Sequence, residues 1–437
     1  MEWSQFNRTV PEWYVNAKFG IFIHWGAYSV PAWAQPTGEL GDVEDSIWFT
    51  NNPYAEWYFN TARIEGSPTW KHHQEVYGGA PYDDFLDAWK AEKYDADDWA
   101  DLFQRAGARY VIPTTKHHDG ITLWDAPGTG TRNTVHRGPK RDLIDELAQA
   151  TRKKGMRFGV YYSGGLDWHV TDLPPIQNMA DVTGLRPNDA AYSMYAHAHC
   201  MDLIRRHKPD VLWNDIEWPD FSKIGDENTP YSLANLFKSY YEAVPEGVVD
   251  DRWGDTHYDF ITSEYQMKTD LEGQGLFENC RGIGFSFGYN RVETEEHYMT
   301  PLQLITHLSD IVSRGGNFLL NVGPDASGEI PTIQRQILES LADWMAVNSS
   351  AIHDTSPVAE AQPSDDPWVR FTGSADHINA ITTARGDVTM TVPSDIVADE
   401  ATVLGSGPTT VTPNGSSVTV TVNAPGDLPS VVQFRRR

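Results

Sequence analysis

The run Pro209-Asp210-Val211-Leu212-Trp213-Asn214-Asp215-Ile216-Glu217-Trp218 decides the fold class. Val211-Leu212-Trp213 reads as a short buried strand, opened by Pro209 and closed by the polar pair Asn214-Asp215. Alternation puts Val211, Trp213 and Asp215 on one side, so an aromatic ring and a carboxylate face the same cavity. A carboxylate where a core strand runs out is costly unless it is paired or used. In barrels and open α/β sheets, the carboxyl ends of the strands are where sites form. The plainer alternative is that Asp215 caps the next helix.

Outward from this run, helix and strand alternate from about residue 95. An acidic first turn, Asp95-Ala96-Asp97-Asp98, opens a helix that ends near Ala106, with Gly107 as its C′ residue. Strands are expected at Lys18–Trp25, Arg109–Thr115, Met156–Tyr162, Phe260–Glu264 and Asn317–Val322. Helices are expected at Asp142–Lys154, Ala190–His207, Ser232–Ala243, Pro301–Arg314 and Thr332–Asn348. Repeated βα units over this length predict a closed, TIM-like (β/α)-barrel. Beyond about residue 355, Val/Thr-rich runs such as Val418-Thr419-Val420-Thr421-Val422 alternate with Gly, Pro, Asn and Ser turns, the pattern of an all-β sandwich. The expected division is a catalytic barrel over residues 1–350 and a C-terminal β-sandwich over 355–437, the latter serving as a structural cover on the barrel.

With 437 residues the chain has room for both units. Its 61 Asp and Glu against 34 Lys and Arg give a net charge of −27, which argues against nucleic acid and anionic membrane as partners. The polar start, the lack of a long apolar run and only two cysteines give the expectation of a soluble cytoplasmic protein. The oligomeric state stays open, a homo-oligomer included. Sixteen Trp, 19 Tyr and 17 Phe supply the flat faces on which sugar rings rest, although aromatics also fill cores.

Three polar clusters fall at predicted strand ends: His24-Trp25-Gly26, Lys116-His117-His118-Asp119-Gly120, and Asp215. Adjacent residues in a strand face opposite ways, so His117 and His118 act together only if a turn or bulge intervenes. No Cys cluster or helical His-x-x-x-His completes a zinc set, so no metal and no cofactor is expected, and the histidines read as neutral partners for hydroxyl groups. A second carboxylate is sought downstream. Glu264 ends a predicted strand and shares the rim; Glu278 lies in a Gly-flanked stretch read as a loop, and Glu217 is a weaker choice. Paired carboxylates, aromatic walls and hydroxyl-binding histidines are the parts of a glycosidase. A metal-dependent hydrolase or a non-catalytic glycan-binding protein using the same pocket are the alternatives.

Four stretches, Trp13 to Gly26, Thr114 to Gly120, Asp210 to Asp215, and Phe318-Leu319-Leu320-Asn321-Val322-Gly323-Pro324-Asp325-Ala326-Ser327-Gly328, resemble glycoside hydrolase family 29, the retaining α-L-fucosidases. The resemblance implies a barrel followed by a β-sandwich and exo-acting release of terminal fucose from oligosaccharides or glycoconjugates. It implies that Asp215 is the nucleophile. His24, Glu56, His117, His118 and the ring nitrogen of Trp213 would bind fucose hydroxyls, Tyr161 would stand near the nucleophile, and Phe287 would pack against the C5 methyl group. Arg252, followed twelve positions later by Glu264, resembles the branch whose acid/base glutamate ends a strand after such an arginine. Glu264 is therefore preferred over Glu278, with the two carboxyl groups expected roughly 5–5.5 Å apart, or somewhat more if a mobile loop carries the acid. The sequence departs from the commoner Trp-Phe-Asp-Gly pattern at Asn214 and Ile216, which bears on rim packing and aglycone space.

Overall fold

The computed structural model describes residues 2–266 and 275–437. Eight parallel strands curl into a TIM-like barrel. They are β1 (Phe19–Ile23), β2 (Tyr110–Lys116), β3 (Arg157–Phe158 with Val160–Ser163), β4 (Val211–Asp215), β5 (Val248–Val249), β6 (Ile261–Glu264), β7 (Phe277–Gly282) and β8 (Asn317–Val322). Strand β3 breaks at Gly159, where a Cβ would approach Val211 Cβ to 2.8 Å and Ile112 Cγ1 to 2.9 Å; only glycine lets the neighbouring strands come so close. Alternation sorts β4 as expected, with Val211 and Trp213 in the cluster inside the barrel and Leu212 in the outer core against the helices.

The hydrogen-bonded ladder runs from β5 through β4, β3, β2, β1, β8 and β7 to β6, and the described residues show no ladder between β5 and β6. Full closure by backbone pairing, as expected from the repeat, is therefore not what forms. Two aspartates on the 250–260 connection stitch the seam instead. Asp259 Oδ2 accepts from Val249 N at 2.9 Å, and Asp251 Oδ1 accepts from Thr262 N at 3.0 Å and Thr262 Oγ1 at 2.7 Å. Asp259 N also donates to Val249 O at 2.9 Å.

The outer helices start where side chains satisfy their free N–H groups. Asp95 accepts from Asp97 N and Asp98 N, Asp142 from Asp145 N, Asp189 from Tyr192 N, and Ser232 from Asn235 N; Thr300 and Gln303 cap each other reciprocally. The C-terminal part holds an antiparallel sheet built on Trp368–Gly373, His377–Thr382, Ser430–Arg436 and Ile396–Val403. A three-stranded sheet, Gly386–Thr391, Ser417–Val422 and Val411–Asn414, faces it. Val388, Met390, Val418, Val420 and Val422 point into the space between them, and the intervening threonines point out. Ile381 and Val431 join the barrel's outer core, and Trp344 Nε1 of the helix Thr332–Asn348 donates to Pro429 O at 2.7 Å. The β part thus rests on the helical flank of the barrel.

Candidate active site

Parallel strands bring all their carboxyl ends to one rim, and the chemistry collects there. His24 follows β1, His117 follows β2, Asp215 ends β4, Arg252 lies three residues past β5 and Glu264 ends β6. They share a pocket of about 430 Å³ with Phe22, Tyr54, Glu56, Trp57, His118, Tyr161, Trp213, Ile216, Cys280 and Phe287.

Asp215 is not a helix cap. It is buried at the pocket, and Tyr161 OH donates to its Oδ2 at 2.7 Å while Arg252 Nη1 donates to its Oδ1 at 3.0 Å. Burial alone would raise its pKa, but the Arg252 charge, with the hydrogen bonds from Tyr161 and Arg252, outweighs it and holds the carboxyl below its ordinary range. The other arm of the same guanidinium, Arg252 Nη2, donates to Glu264 Oε2 at 3.0 Å, and Tyr54 OH donates to Glu264 Oε1 at 2.7 Å. One cation therefore bridges the two carboxylates. It is aimed by Nε donating to Thr262 Oγ1 at 3.0 Å, by the Trp213 ring 4.7 Å from its carbon, and by Asn214 Nδ2, which donates to the Arg252 carbonyl at 2.8 Å.

His117 and His118 reach the pocket together because β2 ends at Lys116 and a turn follows, in which Gly120 N donates to His117 O at 3.0 Å with Gly120 at φ +75°. Their ring centroids lie 4.0 Å apart. Burial lowers all three histidines, His24 to about 3, His118 to about 4 and His117 well below the ordinary range, so they are neutral. Tautomers follow from their partners. Asn321 donates Nδ2–H to Phe287 O at 2.6 Å, so its Oδ1 faces His24 Nδ1 at 2.7 Å and accepts that proton. Ser163 spends its hydroxyl proton on Leu166 O at 2.8 Å and so accepts from His118 Nδ1 at 2.6 Å. Both rings thereby keep an Nε2 lone pair for a ligand hydroxyl. His117 Nδ1 is buried without a hydrogen-bond partner among the described residues. Among the described residues, no group of three His, Cys, Asp or Glu side chains is arranged to hold a metal ion.

Two expectations change. Glu278 does not lie in a loop: it is the second residue of β7, fully buried beneath the pocket, where Tyr14 OH (2.8 Å) and Tyr110 OH (2.5 Å) donate to Oε2. Trp213 Nε1, expected to meet a sugar hydroxyl, donates instead to Glu278 Oε1 at 3.0 Å. An indole has one N–H, and this one is committed below the pocket floor, leaving the ring to line it. Glu56 lines the wall, with Oε2 accepting from Gly288 N at 2.8 Å and Ser286 Oγ at 3.2 Å. Phe287 packs between His24 (4.9 Å) and Tyr54 (5.4 Å). Glu217 does not line the pocket; it pairs with Lys223 and Arg186 behind the rim. Tyr54, Ser163 and Asn321 had no assigned role in the sequence, although Ser163 ends the Val160–Ser163 stretch around Tyr161 and Asn321 lies in the Phe318–Gly328 stretch.

Burial pushes the Glu278 carboxyl up to about 7 against the pull of Tyr110, Tyr14 and Trp213. An acid raised in the folded state adds stability in full below its unfolded value near 4.5 and loses it as pH climbs through 7. Each unit is worth about 1.4 kcal/mol, so the loss is of order 3 kcal/mol. The Glu278→Gln variant should therefore show a shallower fall in Tm than the parent between pH 5 and pH 8; parallel Tm curves would contradict this.

The family model described as Alpha-L-fucosidase matches residues 1–350. The Dictyostelium discoideum alpha-L-fucosidase is 31% identical over 456 residues, covering 99% of this chain and 94% of that protein. The Thermotoga maritima alpha-fucosidase in complex with fucose superposes with a TM-score of 0.86 at 43% identity, covering 98% of this chain and 97% of that one. The Thermotoga maritima alpha-L-fucosynthase in complex with alpha-L-Fuc-(1-2)-beta-L-Fuc-N3 gives a TM-score of 0.89 at 43% identity, covering 99% and 98%.

Proposed function

The chain belongs to the alpha-L-fucosidase family of glycoside hydrolases, and from that premise we propose that it is an exo-acting, retaining enzyme that releases terminal α-L-fucosyl residues from oligosaccharides or glycoconjugates. Asp215 attacks the anomeric carbon while Glu264 protonates the departing oxygen; Glu264 then draws a proton from water to hydrolyse the fucosyl ester on Asp215. The observation that carries this reading is Arg252, one guanidinium with an arm on each carboxylate. It keeps Asp215 ionised and holds the pair within the span of a single side chain.

The pocket supports exo action. Twelve of its fifteen lining residues are buried, and its floor is closed by Trp213 over Glu278, so it has depth for one terminal sugar. His24 and His118 offer Nε2 acceptors, and His117 and Glu56 offer further polar atoms, to the fucose hydroxyls. Phe287 is the apolar surface available to a methyl group. The fucose and fucosyl-fucose complexes of the Thermotoga maritima proteins support the same sugar here.

Proton NMR of an aryl α-L-fucoside during hydrolysis checks the stereochemistry. Free α-L-fucose should appear first and mutarotate to the β form afterwards. First appearance of the β anomer would mean single displacement and would remove Asp215 from the role of nucleophile.

A further inference from the structure

Of the fifteen residues that line the pocket, Ile216, Arg252 and Glu264 are the most exposed, and the other twelve are buried. These three form the mouth. Arg252 is held by both carboxylates and Glu264 by Tyr54 and Arg252, so Ile216 is the apolar member of the ring through which a leaving group must pass.

Ile216 occupies this place in an unfavourable conformation. Its φ is +57° and that of Glu217 is +68°, in the left-handed region where a β-branched residue is rarely found. The surroundings impose the turn. Ile216 N donates to Asp215 Oδ1 at 3.0 Å, and Gly165 N donates to Asp215 O at 3.0 Å. Gly165 fits so closely that a Cβ there would stand 1.7 Å from Ile216 O. On the far side Glu217 Oε2 is gripped by Lys223 Nζ at 2.9 Å and Arg186 Nη2 at 3.2 Å. Glycine or asparagine would adopt this backbone at little cost; isoleucine does not. Strain kept beside a reacting group points to a use for the side chain.

We propose that Ile216 is the first contact for the leaving group and selects aglycones that present an apolar face to the pocket mouth. The inference rests on the fucosidase reading and adds its leaving-group preference. Ile216 touches the aglycone and not the fucosyl group, so its side chain acts while the glycosidic bond breaks and is idle once the fucosyl ester has formed.

Cyclohexyl and methyl α-L-fucosides test this, because their leaving alcohols are similarly acidic and differ in apolar size. The parent should prefer the cyclohexyl substrate in kcat/KM. In Ile216→Gly and Ile216→Asn, the cyclohexyl-to-methyl ratio should fall by roughly tenfold. The asparagine variant suits the left-handed turn and keeps side-chain bulk, so it separates loss of the apolar surface from any loosening of the turn. If the ratio stays within twofold of the parent in both variants, while kcat/KM for the two substrates drops together, Ile216 only props the turn and the proposal is overturned. A parent that turns over no α-L-fucoside would instead overturn the fucosidase reading itself.

Discussion

Asp215→Gly should lose ~10⁴-fold or more in kcat on an aryl α-L-fucoside, the scale set by removal of a covalent nucleophile. The fold should survive, because Arg252 keeps Glu264 as a partner and Tyr161 gains the vacated space. That space is the key to the diagnosis. Azide is an anion small enough to enter it, beside the cation that held the carboxylate, and to attack the anomeric carbon from the same side. Glu264 remains to protonate the leaving oxygen. One displacement then replaces two, so azide should restore turnover and the product should be β-L-fucosyl azide. Activity close to the parent without azide, or rescue giving the α product, would remove Asp215 from the nucleophile's role.

Glu264→Ala should divide substrates by leaving group. A sugar leaving group needs a proton as the bond breaks, and kcat/KM should fall by about 10²–10⁴-fold. Dinitrophenolate departs unaided, so kcat/KM for that fucoside should change little while its kcat falls, since water now attacks the fucosyl ester without a base. Azide needs no base and should lift kcat again, this time with two displacements and an α-L-fucosyl azide product. The two variants thus yield opposite anomers from one reagent. Glu278→Ala is the contrasting case: it strips Trp213, Tyr14 and Tyr110 of their shared acceptor. It should depress all substrates alike, with no azide rescue. The divided pattern in Glu278→Ala rather than Glu264→Ala would reverse the assignment.

Residues whose position depends on one strand and its end were legible in the sequence. Val211 to Asp215 alternates cleanly, and the stretches ending in His24 and in His117-His118 run straight out of apolar strands. Glu264 was legible for the same reason. Strand β7 was not, because Phe277-Glu278-Asn279-Cys280-Arg281-Gly282 shows no apolar alternation, yet all six positions are buried. Its polar groups are satisfied by remote partners: Glu278 by Tyr14, Tyr110 and Trp213, and Asn279 by Ser263 and His307. Burial of such a strand is set by pairing across the barrel, which no local pattern records. The same distance hid the commitment of the Trp213 N–H, 65 residues from its acceptor. Strand β5, two residues long, offers no period to detect. Seam closure by Asp251 and Asp259 depends on side-chain geometry that periodicity does not carry.

That seam has a consequence for durability. Elsewhere around the barrel each strand is fastened by a run of backbone hydrogen bonds that must break together. Between β5 and β6 the fastening is a few side-chain bonds and the backbone bond from Asp259 N to Val249 O, and the connection they secure carries Arg252. Cooperative units with few fastenings release first on heating. On heating, this short segment should therefore detach while the remainder of the barrel is still folded. Activity should then be lost before bulk secondary structure, and Asp251→Ala or Asp259→Ala should widen that gap; simultaneous loss in the parent would place the weak point elsewhere.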